Sequence, residues 1–431
     1  MAPARPARPS KAIPPPPPLQ RPYTAGSPAS DFDIPREMQS ALGLVLWKSL
    51  RDVQVCCQVE PHARRRLLRA PNAEVHERFA AARLEAPELG GALSTFALLL
   101  QSPPLVTTTA LAAACHEVYE WADERGLKLI AYHYAEAAAY ADPDDPARAN
   151  FAARMARRAL MKDRAALWYL RAHRVAIVVH RKREAIYALL GYGTMMKDVG
   201  NFEEARRAFE RAARRANASG KEREAAEAYH DLFAIALELG RFRLAERHLR
   251  KALSLYPVRH SRIPALAYDI AFFLIRQGQF YAALSVLERT ALLTRRPEEQ
   301  PLVWSAVAWA AAAADLGGRF DEAERTTLEQ VAVFDDFAPA IFIHLAEGCR
   351  ALRRWERAAA YAETAHEAAR ARDEPPLADE AAELRAAIER RDGGPAQAPE
   401  AVGPSSLARA VVLRLQRWAT PGRGRPGAGS A

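Results

Sequence analysis

The fold is decided by one stretch in the middle of the chain, which reads Gly200-Asn201-Phe202-Glu203-Glu204-Ala205-Arg206-Arg207-Ala208-Phe209-Glu210-Arg211-Ala212. After the glycine, aromatic and alanine residues follow at positions 202, 205, 209 and 212. Residues three or four apart share one face of an α-helix, and a glycine can take the left-handed conformation that ends a helix. The stretch therefore predicts one helix that ends at Gly200 and a second helix that begins after a tight turn.

The same pattern recurs along the chain. Alanines equivalent to Ala205 give seven copies, at Ala131, Ala165, Ala205, Ala245, Ala283, Ala323 and Ala358. Five copies have a glycine five residues before that alanine, namely Gly126, Gly200, Gly240, Gly278 and Gly318. Five copies have an aromatic residue three residues before it, namely Phe202, Phe242, Phe280, Phe320 and Trp355. Since the copies are aligned on alanine alone, the agreement at the other two positions indicates a true internal repeat.

The spacing of the copies fixes what one repeat contains. Successive anchor alanines are 34 to 40 residues apart, which is enough for two helices of three to four turns and two connecting turns. Paired helices lie about 8 to 10 Å apart, and the shorter distance requires a small side chain at the contact. We therefore expect each anchor alanine to lie where the two helices of its repeat come closest.

The string from Gly200 to Ala212 resembles the tetratricopeptide repeat (TPR), and the resemblance covers about residues 112–371. It implies an all-α fold, a right-handed α-solenoid of TPR-like helical hairpins with an N-terminal helical cap and disordered tails. The first two copies depart from the family pattern, because Lys128 and Lys162 stand where the other copies have an aromatic residue. The longer copies also exceed the usual repeat by four to six residues.

Changes in composition divide the chain into five segments. We predict a disordered Pro/Arg-rich tail over residues 1–33 and an N-terminal helical cap or bundle over 34–110. The TPR-like array follows over 111–372, and a charged C-terminal capping helix over 373–392 protects its end. The last segment, 393–431, is a linker with a short basic amphipathic helix.

The basic amphipathic helix, at about residues 405–419, has three possible roles. Its apolar face could lie on an anionic membrane, enter a partner's groove, or fold back onto the chain's own solenoid. Folding back is the simplest of the three, and we expect it. A membrane or partner contact through this helix remains an alternative.

The position of the positive charge disfavours nucleic-acid binding. The formal net charge is +9, and residues 1–30 and 404–431 together carry nine basic residues and no acidic residue. The body between them is therefore neutral. A duplex-binding domain normally concentrates basic residues on one face to neutralise phosphates. We expect the partner to be a protein or a peptide.

The cysteines and the N-terminal residues predict the cellular location. The four cysteines, Cys56, Cys57, Cys115 and Cys349, form no spacing typical of a disulfide framework. The N-terminal basic residues are followed by a proline run and not by the apolar stretch of a secretory signal. No segment is apolar enough over a sufficient length to span a bilayer. We therefore expect a reducing, cytoplasmic location.

The sequence contains no pattern that predicts catalysis. Phosphate-binding Gly-x-x-x-x-Gly-Lys-[Ser/Thr], His-Glu-x-x-His and Gly-x-Ser-x-Gly strings are all missing. Cys56, Cys57 and His62 come nearest to a metal cluster. Zinc needs four ligands, and adjacent cysteines on one helix point about 100° apart. We expect no enzyme activity, no cofactor and no metal, and an enzyme within the N-terminal helices is the least favoured option.

The resemblance implies that the first helix of each repeat lines a concave groove and that its exposed residues contact the partner. At the offsets of TPR groove residues, the first copy supplies His116 and Glu120. The later copies supply Asn150, Arg154, Arg157, Tyr187, Thr194, Glu227, His230, Asp231, Tyr268, Asp269, Phe272, Trp309, His344 and Glu347. Some TPR domains hold a partner's C-terminal carboxylate with basic residues. Glu227 and Asp231 disfavour that mode here.

Two functions fit these observations. The first is a protein–protein interaction scaffold or adaptor that binds a peptide or protein partner in the groove. The second is a TPR-type signal sensor, because N-terminal helices joined to repeats of about 40 residues resemble bacterial regulators that bind a peptide or small effector. Such regulators usually carry a DNA-reading or response-regulator-binding module, and residues 36–105 show no clear helix-turn-helix pattern. The scaffold is therefore the favoured hypothesis.

Overall fold

The computed structural model describes residues 15–18, 34–68, 71–257, 260–393 and 410–415. Within these ranges the protein is all-α, with twenty α-helices, a few short 3-10 turns and no β-strand. Among these helices, none combines the length and the apolar character needed to cross a bilayer. The tetratricopeptide-like solenoid class predicted from the repeats is confirmed.

The N-terminal helices and the first repeats have the following bounds: α1 (Ile34–Glu37), α2 (Ala41–Cys56), α3 (Arg64–Leu67), α4 (Ala73–Glu85), α5 (Gly90–Gln101), α6 (Thr108–Glu124), α7 (Lys128–Ala141), α8 (Pro146–Arg158), α9 (Lys162–Val178) and α10 (Lys182–Asp198). The remaining helices are α11 (Phe202–Ala218), α12 (Glu222–Glu238), α13 (Phe242–Leu255), α14 (Ile263–Arg276), α15 (Phe280–Leu293), α16 (Gln300–Ala313), α17 (Gly317–Val331), α18 (Ala338–Ala351), α19 (Trp355–Ala371) and α20 (Pro375–Glu389).

The chain forms two compact units. The N-terminal unit comprises Met1–Met195 and Arg207–Glu224, and the C-terminal unit comprises Met196–Arg206 and Ala225–Ala431. Within the N-terminal unit, α6 packs on α7 and α8 on α9. Within the C-terminal unit, α14 packs on α15, α16 on α17, and α18 on α19. These consecutive pairs are the helical hairpins that the repeat spacing predicts.

The helix starts confirm the predicted register. In six of the seven repeats the second helix begins at the residue three before the anchor alanine: Lys128, Lys162, Phe202, Phe242, Phe280 and Trp355. The two copies with lysine at this position therefore follow the same register as the aromatic copies. The exception is α17, which begins at Gly317, three residues before Phe320.

That exception corrects one detail of the prediction. Gly126, Gly200, Gly240 and Gly278 have the left-handed backbone expected after a helix, with φ of 65° to 80°. Gly318 does not, because it lies inside α17, and Asp315 takes the left-handed position with φ 60°. Because α17 begins at Gly317, both Gly317 and Gly318 are helical, and the turn falls on the residues before them.

The helix contacts depend on small residues. All seven anchor alanines are buried, with at most 2% of their surface exposed. Elsewhere an aromatic ring lies directly over a glycine of a neighbouring helix. A Cβ atom at Gly193 would lie 2.6 Å from Phe209 Cε1, and one at Gly348 would lie 2.6 Å from Phe320 Cε2. The rings thus occupy space that any larger residue would fill.

The N-terminal helices are fixed to the first repeat by polar contacts. The Glu37 carboxylate accepts hydrogen bonds from the backbone N–H groups of Leu129 and Ile130, at 3.0 and 2.8 Å. An anion at the start of α7 also interacts favourably with the helix dipole. Tyr134 donates a hydrogen bond to the Leu46 carbonyl at 2.7 Å. The helices before the repeats therefore form one packed body with α7.

Two short segments of the predicted tails lie on the folded units. Residues 15–18, within the predicted tail 1–33, contact α7 and α9. Of the amphipathic helix 405–419, the structure describes 410–415 as helical, and Val411 and Leu415 are buried in the hydrophobic core of the C-terminal unit. The rest of both tails lies outside the described residues.

An arginine secures the 410–415 segment. Arg414 donates hydrogen bonds to the carbonyls of Leu253 and Tyr256, at 2.5 and 2.7 Å, where α13 ends. The last carbonyls of a helix have no partner within it, so a cation at this position satisfies them. In the described residues, the apolar face of this segment is thus turned to the chain's own core.

Adding bulk at an anchor alanine should strain the hairpin. We expect Ala358→Leu, at a fully buried position of α19, to lower the free energy of unfolding by about 1 to 3 kcal/mol through overpacking. The adjacent Ala359 is exposed, so Ala359→Leu should change it by no more than about 0.5 kcal/mol. Chemical denaturation of both variants measures the difference. Equal stabilities would contradict the proposed close contact at Ala358.

The glycine contacts give a second test. Gly348→Ala would place a methyl group against the buried ring of Phe320, so we expect a loss of about 1 to 3 kcal/mol in unfolding free energy. Gly318→Ala is the matched control, because its Cβ would meet nothing within 4 Å. At an open helical site alanine should add about 0.5 to 1 kcal/mol. Stabilisation by both substitutions would show that the ring can move away.

Candidate functional site

Four predicted groove residues meet in the C-terminal unit. Tyr268 and Phe272 lie one turn apart on α14, Trp309 lies on α16 and His344 on α18. The ring centroids of Phe272 and Trp309 are 5.5 Å apart, and those of Trp309 and His344 are 5.6 Å apart. These separations are typical of favourable aromatic pairs. We call these four residues the aromatic cluster.

The His344 side chain holds the aromatic cluster together. Ser305 Oγ donates to the Leu302 carbonyl at 2.8 Å and lies 2.9 Å from His344 Nδ1. Because the Ser305 hydroxyl hydrogen is used there, His344 Nδ1–H donates to Ser305, and His344 Nε2 accepts from the Tyr268 hydroxyl at 3.3 Å. Burial lowers the pKa of His344 to about 3. The imidazole is therefore neutral at physiological pH and has a supporting role inside the cluster.

A cavity of about 640 Å³ opens beside the aromatic cluster in the C-terminal unit. Helices α14, α16, α18 and α20 and the start of α15 supply its walls. Trp309 and Glu347, both predicted groove residues, line it. Its other lining residues are Ile275, Arg276, Gly278, Phe280, Ala313, Arg350, Ala351, Glu380, Glu383, Leu384, Ala386, Ala387, Arg390 and Gly393. The cavity thus combines apolar walls with several charged groups.

Two of the charged residues in the cavity are paired. The Arg350 guanidinium donates to the Glu347 carboxylate, with Nε and Nη2 at 3.0 and 2.8 Å from Oε2. Burial raises the pKa of Glu347, and Arg350 opposes that rise. The guanidinium of Arg276 lies 5.4 Å from the centroid of the Phe272 ring, in a cation–π arrangement. These contacts fix the wall on the side of α14 and α18.

Glu380, on α20, is the most perturbed acid of the cavity. Burial raises its pKa to about 7, and the carboxylates of Glu238, Glu347 and Glu383 add to the rise, while Arg276 opposes it. Near neutral pH this carboxyl group is therefore close to half protonated. A cation that entered the cavity would favour its charged form.

The cavity residues on α20 were not among the predicted groove residues. The sequence predicts a capping role for α20, and the groove offsets of the repeat do not extend to it. A signal was present, because Ala381, Leu384 and Ile388 recur at helical spacing and are buried. That pattern indicates a helix packed along one side on the array, which places Glu380 and Glu383 beside the apolar stripe.

A second group of predicted residues forms a charge cluster on α12 and α14. His230 Nε2 lies 2.8 Å from Asp269 Oδ2. Arg262 pairs with Asp231 and lies 3.9 Å from Glu227 Oε2. His230 and Glu227 are buried. These side chains therefore hold α12, α14 and the turn before α14 together, and His230 and Glu227 present little surface to solvent.

The remaining predicted groove residues belong to the N-terminal unit. His116 and Glu120 pair with each other across one turn of α6, at 3.4 Å. Tyr187 accepts a hydrogen bond from Arg183 at 3.2 Å, and that guanidinium also lies 5.4 Å from the Tyr187 ring centroid. Arg157 is half-buried on α8. Tyr187 keeps part of its ring accessible.

Three other predicted residues of this unit bond to their surroundings. Asn150 Nδ2 donates to the Glu184 carbonyl at 3.0 Å and so links α8 to α10. Arg154, which is exposed, lies 3.4 Å from Asp123 Oδ2. The Thr194 hydroxyl donates to a carbonyl one turn back in its own helix, at 3.0 Å. These contacts give Asn150 and Thr194 structural roles and leave Arg154 on the surface.

The cysteines are unpaired thiols. Cys56, Cys115 and Cys349 are buried and Cys57 is half-buried. Burial raises the pKa of Cys56 to about 11 and that of Cys57 to about 12, so both thiols stay protonated at neutral pH. Metal ligation requires the thiolate. Across the described ranges, no group of three or more His, Cys, Asp or Glu residues is placed to hold a metal ion.

Glu380 gives a prediction for pH-dependent stability. Because burial raises its pKa above the ordinary 4.5, the folded chain retains this proton more strongly than the unfolded chain. Its contribution therefore favours folding at low pH and is lost as the pH rises through about 7. We expect Glu380→Gln to melt at a higher temperature than wild type at pH 8 and at nearly the same temperature at pH 5.

The adjacent Asp379 provides the control for this experiment. It is exposed, and Asp379→Asn removes the same charge from the same helix turn. We expect its melting temperature to follow that of wild type at both pH values. Parallel curves for Glu380→Gln and wild type from pH 5 to pH 8 would contradict the assignment of a half-buried, destabilised carboxylate.

Part of the sequence matches a known family. Residues 184–257 match the model of the tetratricopeptide repeat, and this range spans most of α10 together with α11, α12 and α13. None of the curated proteins matches the chain significantly.

Several solved structures are similar in fold. The Rap conjugation gene regulator of the plasmid pLS20, in complex with the Phr* peptide, is 13% identical, with a TM-score of 0.41, over 82% of this chain and 98% of that chain. The apo form of RapI is 12% identical, with a TM-score of 0.41, over 80% and 98%. The Cut9–Hcn1 hetero-tetramer of APC/C is 13% identical, with a TM-score of 0.39, over 72% and 64%. Similarity of this degree carries no functional argument. The sequence match at residues 184–257, the buried anchor alanines and the consecutive helix pairs show that this chain contains tetratricopeptide repeats.

Proposed function

We propose that this chain is a protein–protein interaction scaffold that acts by binding and not by catalysis. We further propose that the cavity of the C-terminal unit receives a peptide or protein segment of the partner. The observation that carries the proposal is the cavity of about 640 Å³ between α14, α16, α18 and α20, with Trp309 in its wall. Tetratricopeptide repeats typically form interaction surfaces, and three of the helices that line this cavity, α14, α16 and α18, are ones that the repeat pattern assigns to the groove.

The size and lining of the cavity support binding of a partner segment. Ligand sites generally have volumes of about 300 to 1,000 Å³ and mix apolar walls with a few polar groups. Trp309 is half-buried, so part of its indole remains available for contact. Tryptophan is enriched among the residues that dominate binding energy, because a large rigid ring can be covered at little entropic cost. Trp309 is therefore the proposed anchor.

The charges of the cavity indicate what the segment should carry. Glu380 lies among the carboxylates of Glu238, Glu347 and Glu383, and this crowding, together with burial, keeps it partly protonated. A lysine or arginine of a partner would offset that repulsion and would favour ionisation of Glu380. We propose that the bound segment places an apolar side chain against Trp309 and a basic side chain near Glu380.

The buried predicted residues have a supporting role in this proposal. His344, His230 and Glu227 are at least nine-tenths buried, and their hydrogen bonds and ion pairs join neighbouring helices. A partner would meet Trp309 and the charged cavity residues directly, while these three side chains keep the walls in position.

Trp309→Ala tests the proposal in the full chain. Truncation of a hot-spot tryptophan typically costs at least 2 kcal/mol of binding energy, so we expect a partner captured by wild type to be depleted more than tenfold by this variant. Affinity capture followed by quantitative mass spectrometry measures the depletion. Tyr268 is left intact, because its removal would also deprive His344 of a hydrogen-bond donor.

Tyr281→Ala is the control, because Tyr281 is 52% exposed on α15 and does not line the cavity. We expect this variant to capture the same partners as wild type. Thermal unfolding of both variants shows that the fold is retained. If folded Trp309→Ala captures every protein in wild-type amounts, the cavity is not the binding site.

A further inference from the structure

Four prolines lie against the first repeats of the N-terminal unit. The Tyr140 hydroxyl, at the end of α7, donates a hydrogen bond to the Pro17 carbonyl at 2.8 Å. Arg164 Nη1, on α9, donates to the Pro18 carbonyl at 2.6 Å. Pro17 is buried, while Pro15 and Pro18 are exposed. Two side chains thus bind consecutive carbonyls of a proline segment.

Buried contacts fix both donors in place. Arg164 Nε donates to Glu136 Oε1 at 2.6 Å, and Trp168 Nε1 donates to the same oxygen at 2.8 Å. Arg164 also donates to the Tyr140 hydroxyl, which leaves the hydroxyl hydrogen for Pro17. Arg164, Glu136 and Trp168 are all more than nine-tenths buried. The donors are therefore positioned before any ligand arrives.

The bound segment has the chemistry that such donors recognise. Pro14–Pro18 is a run of five prolines. Proline fixes φ near −65°, and a residue before proline is restricted to extended conformations, so consecutive prolines favour a polyproline II helix. This helix has no internal hydrogen bonds, which leaves every carbonyl free to accept one. Aromatic surfaces with precisely oriented donors are the usual receptors for it.

The two donors lie beside an aromatic pair in which Trp168 is fully buried and Tyr140 is half-buried. The Tyr140 and Trp168 rings meet edge to face, with centroids 5.3 Å apart. Arg171 follows Arg164 by seven residues, which places it on the same face of α9. Arg171 is 4% exposed, and its Nε and Nη1 atoms have no hydrogen-bond acceptor within the described part of the chain. Unused buried donors suit a ligand with many free carbonyls.

We propose that α7 and α9 form a polyproline-binding site, and that the chain's own Pro15–Pro18 occupies it until a proline-rich segment of a partner protein takes its place. A second copy of this chain is a weaker candidate. Exchange of tails between copies would reproduce the same contacts and would also cost association entropy. A partner protein also pays this entropy, but flanking residues that make further contacts can offset it.

Pro15–Pro18, the resident segment, is covalently joined to its own site and therefore competes with any added ligand. Because this segment and its site belong to one chain, its binding is intramolecular, and the effective concentration in such cases is on the order of millimolar. If the free segment binds with a Kd of about 0.1 mM, the tether reduces the apparent affinity for an added peptide about tenfold. The proposal therefore predicts that removing the resident prolines exposes the site to added ligand.

A peptide titration tests the proposal on the full chain. The vacated variant carries Pro15→Gly, Pro16→Ser, Pro17→Gly and Pro18→Ser, all outside the helices. A fluorescein-labelled peptide with the sequence of residues 10–22 is the probe, and fluorescence anisotropy gives its affinity. We expect the vacated variant to bind the peptide about tenfold more tightly than wild type. Equal affinities would overturn the proposal.

Conservative variants locate the binding. Tyr140→Phe in the vacated chain removes the hydrogen bond to Pro17 and keeps the ring, so we expect about fivefold weaker binding. Tyr192→Phe, on α10 of the same unit, should leave the affinity unchanged. A peptide with alanine in place of Pro14–Pro18 should not bind. Unchanged binding by Tyr140→Phe, or equal binding of the alanine peptide, would each refute the polyproline site.

Two further measurements complete the test. The melting temperature of the vacated variant should stay within a few degrees of wild type, since no helix is altered. Sedimentation of wild type at the assay concentration should show a monomer. A dimer that dissociates in the vacated variant would show that tails are exchanged between copies, and it would overturn the choice of a partner protein as the ligand.

Discussion

The close contact between paired helices, with a small residue at the point of contact, is the constraint on which this structure depends. Each anchor alanine is buried, and Gly193 and Gly348 leave room for the rings of Phe209 and Phe320. Small residues at a contact allow two helices to approach to the short end of the usual interaxial distance. The same contact recurs in every repeat. It therefore brings together α14, α16 and α18, the first helices of three successive repeats, and so assembles the aromatic cluster.

Segments outside the repeats complete the surfaces that the repeats begin. Helix α20 supplies one wall of the cavity with Glu380, Glu383 and Leu384. The 410–415 segment buries Val411 and Leu415 in the core of the same unit. In the N-terminal unit, Pro15–Pro18 lie on α7 and α9. The helices of a repeat array leave long faces uncovered. In this chain, α20, the 410–415 segment and Pro15–Pro18 cover portions of those faces.

The two proposed sites differ in how well a carboxylate charge is compensated, at Glu136 in the α7/α9 site and at Glu380 in the cavity. Glu136 accepts hydrogen bonds from Arg164 and Trp168, so its charge is compensated within the fold and positions donors for a neutral backbone. Glu380 lies among other carboxylates, and burial raises its pKa to about 7, so its charge is compensated poorly. A buried charge without a partner is costly. The first arrangement suits a ligand of carbonyl groups, and the second suits a ligand that brings a cation.

The sequence by itself determined the repeat, its register and the helix starts, because these depend on residues a few positions apart: six of the seven second helices begin where the pattern places them. It also identified Trp309 and Glu347, which line the cavity. Only the tertiary structure decided that His344 is buried and neutral, that Glu380 belongs to the cavity and that Pro15–Pro18 meet Arg164. Burial and hydrogen bonding between residues as far apart as Pro18 and Arg164 follow from how helices pack in space, which local periodicity does not specify.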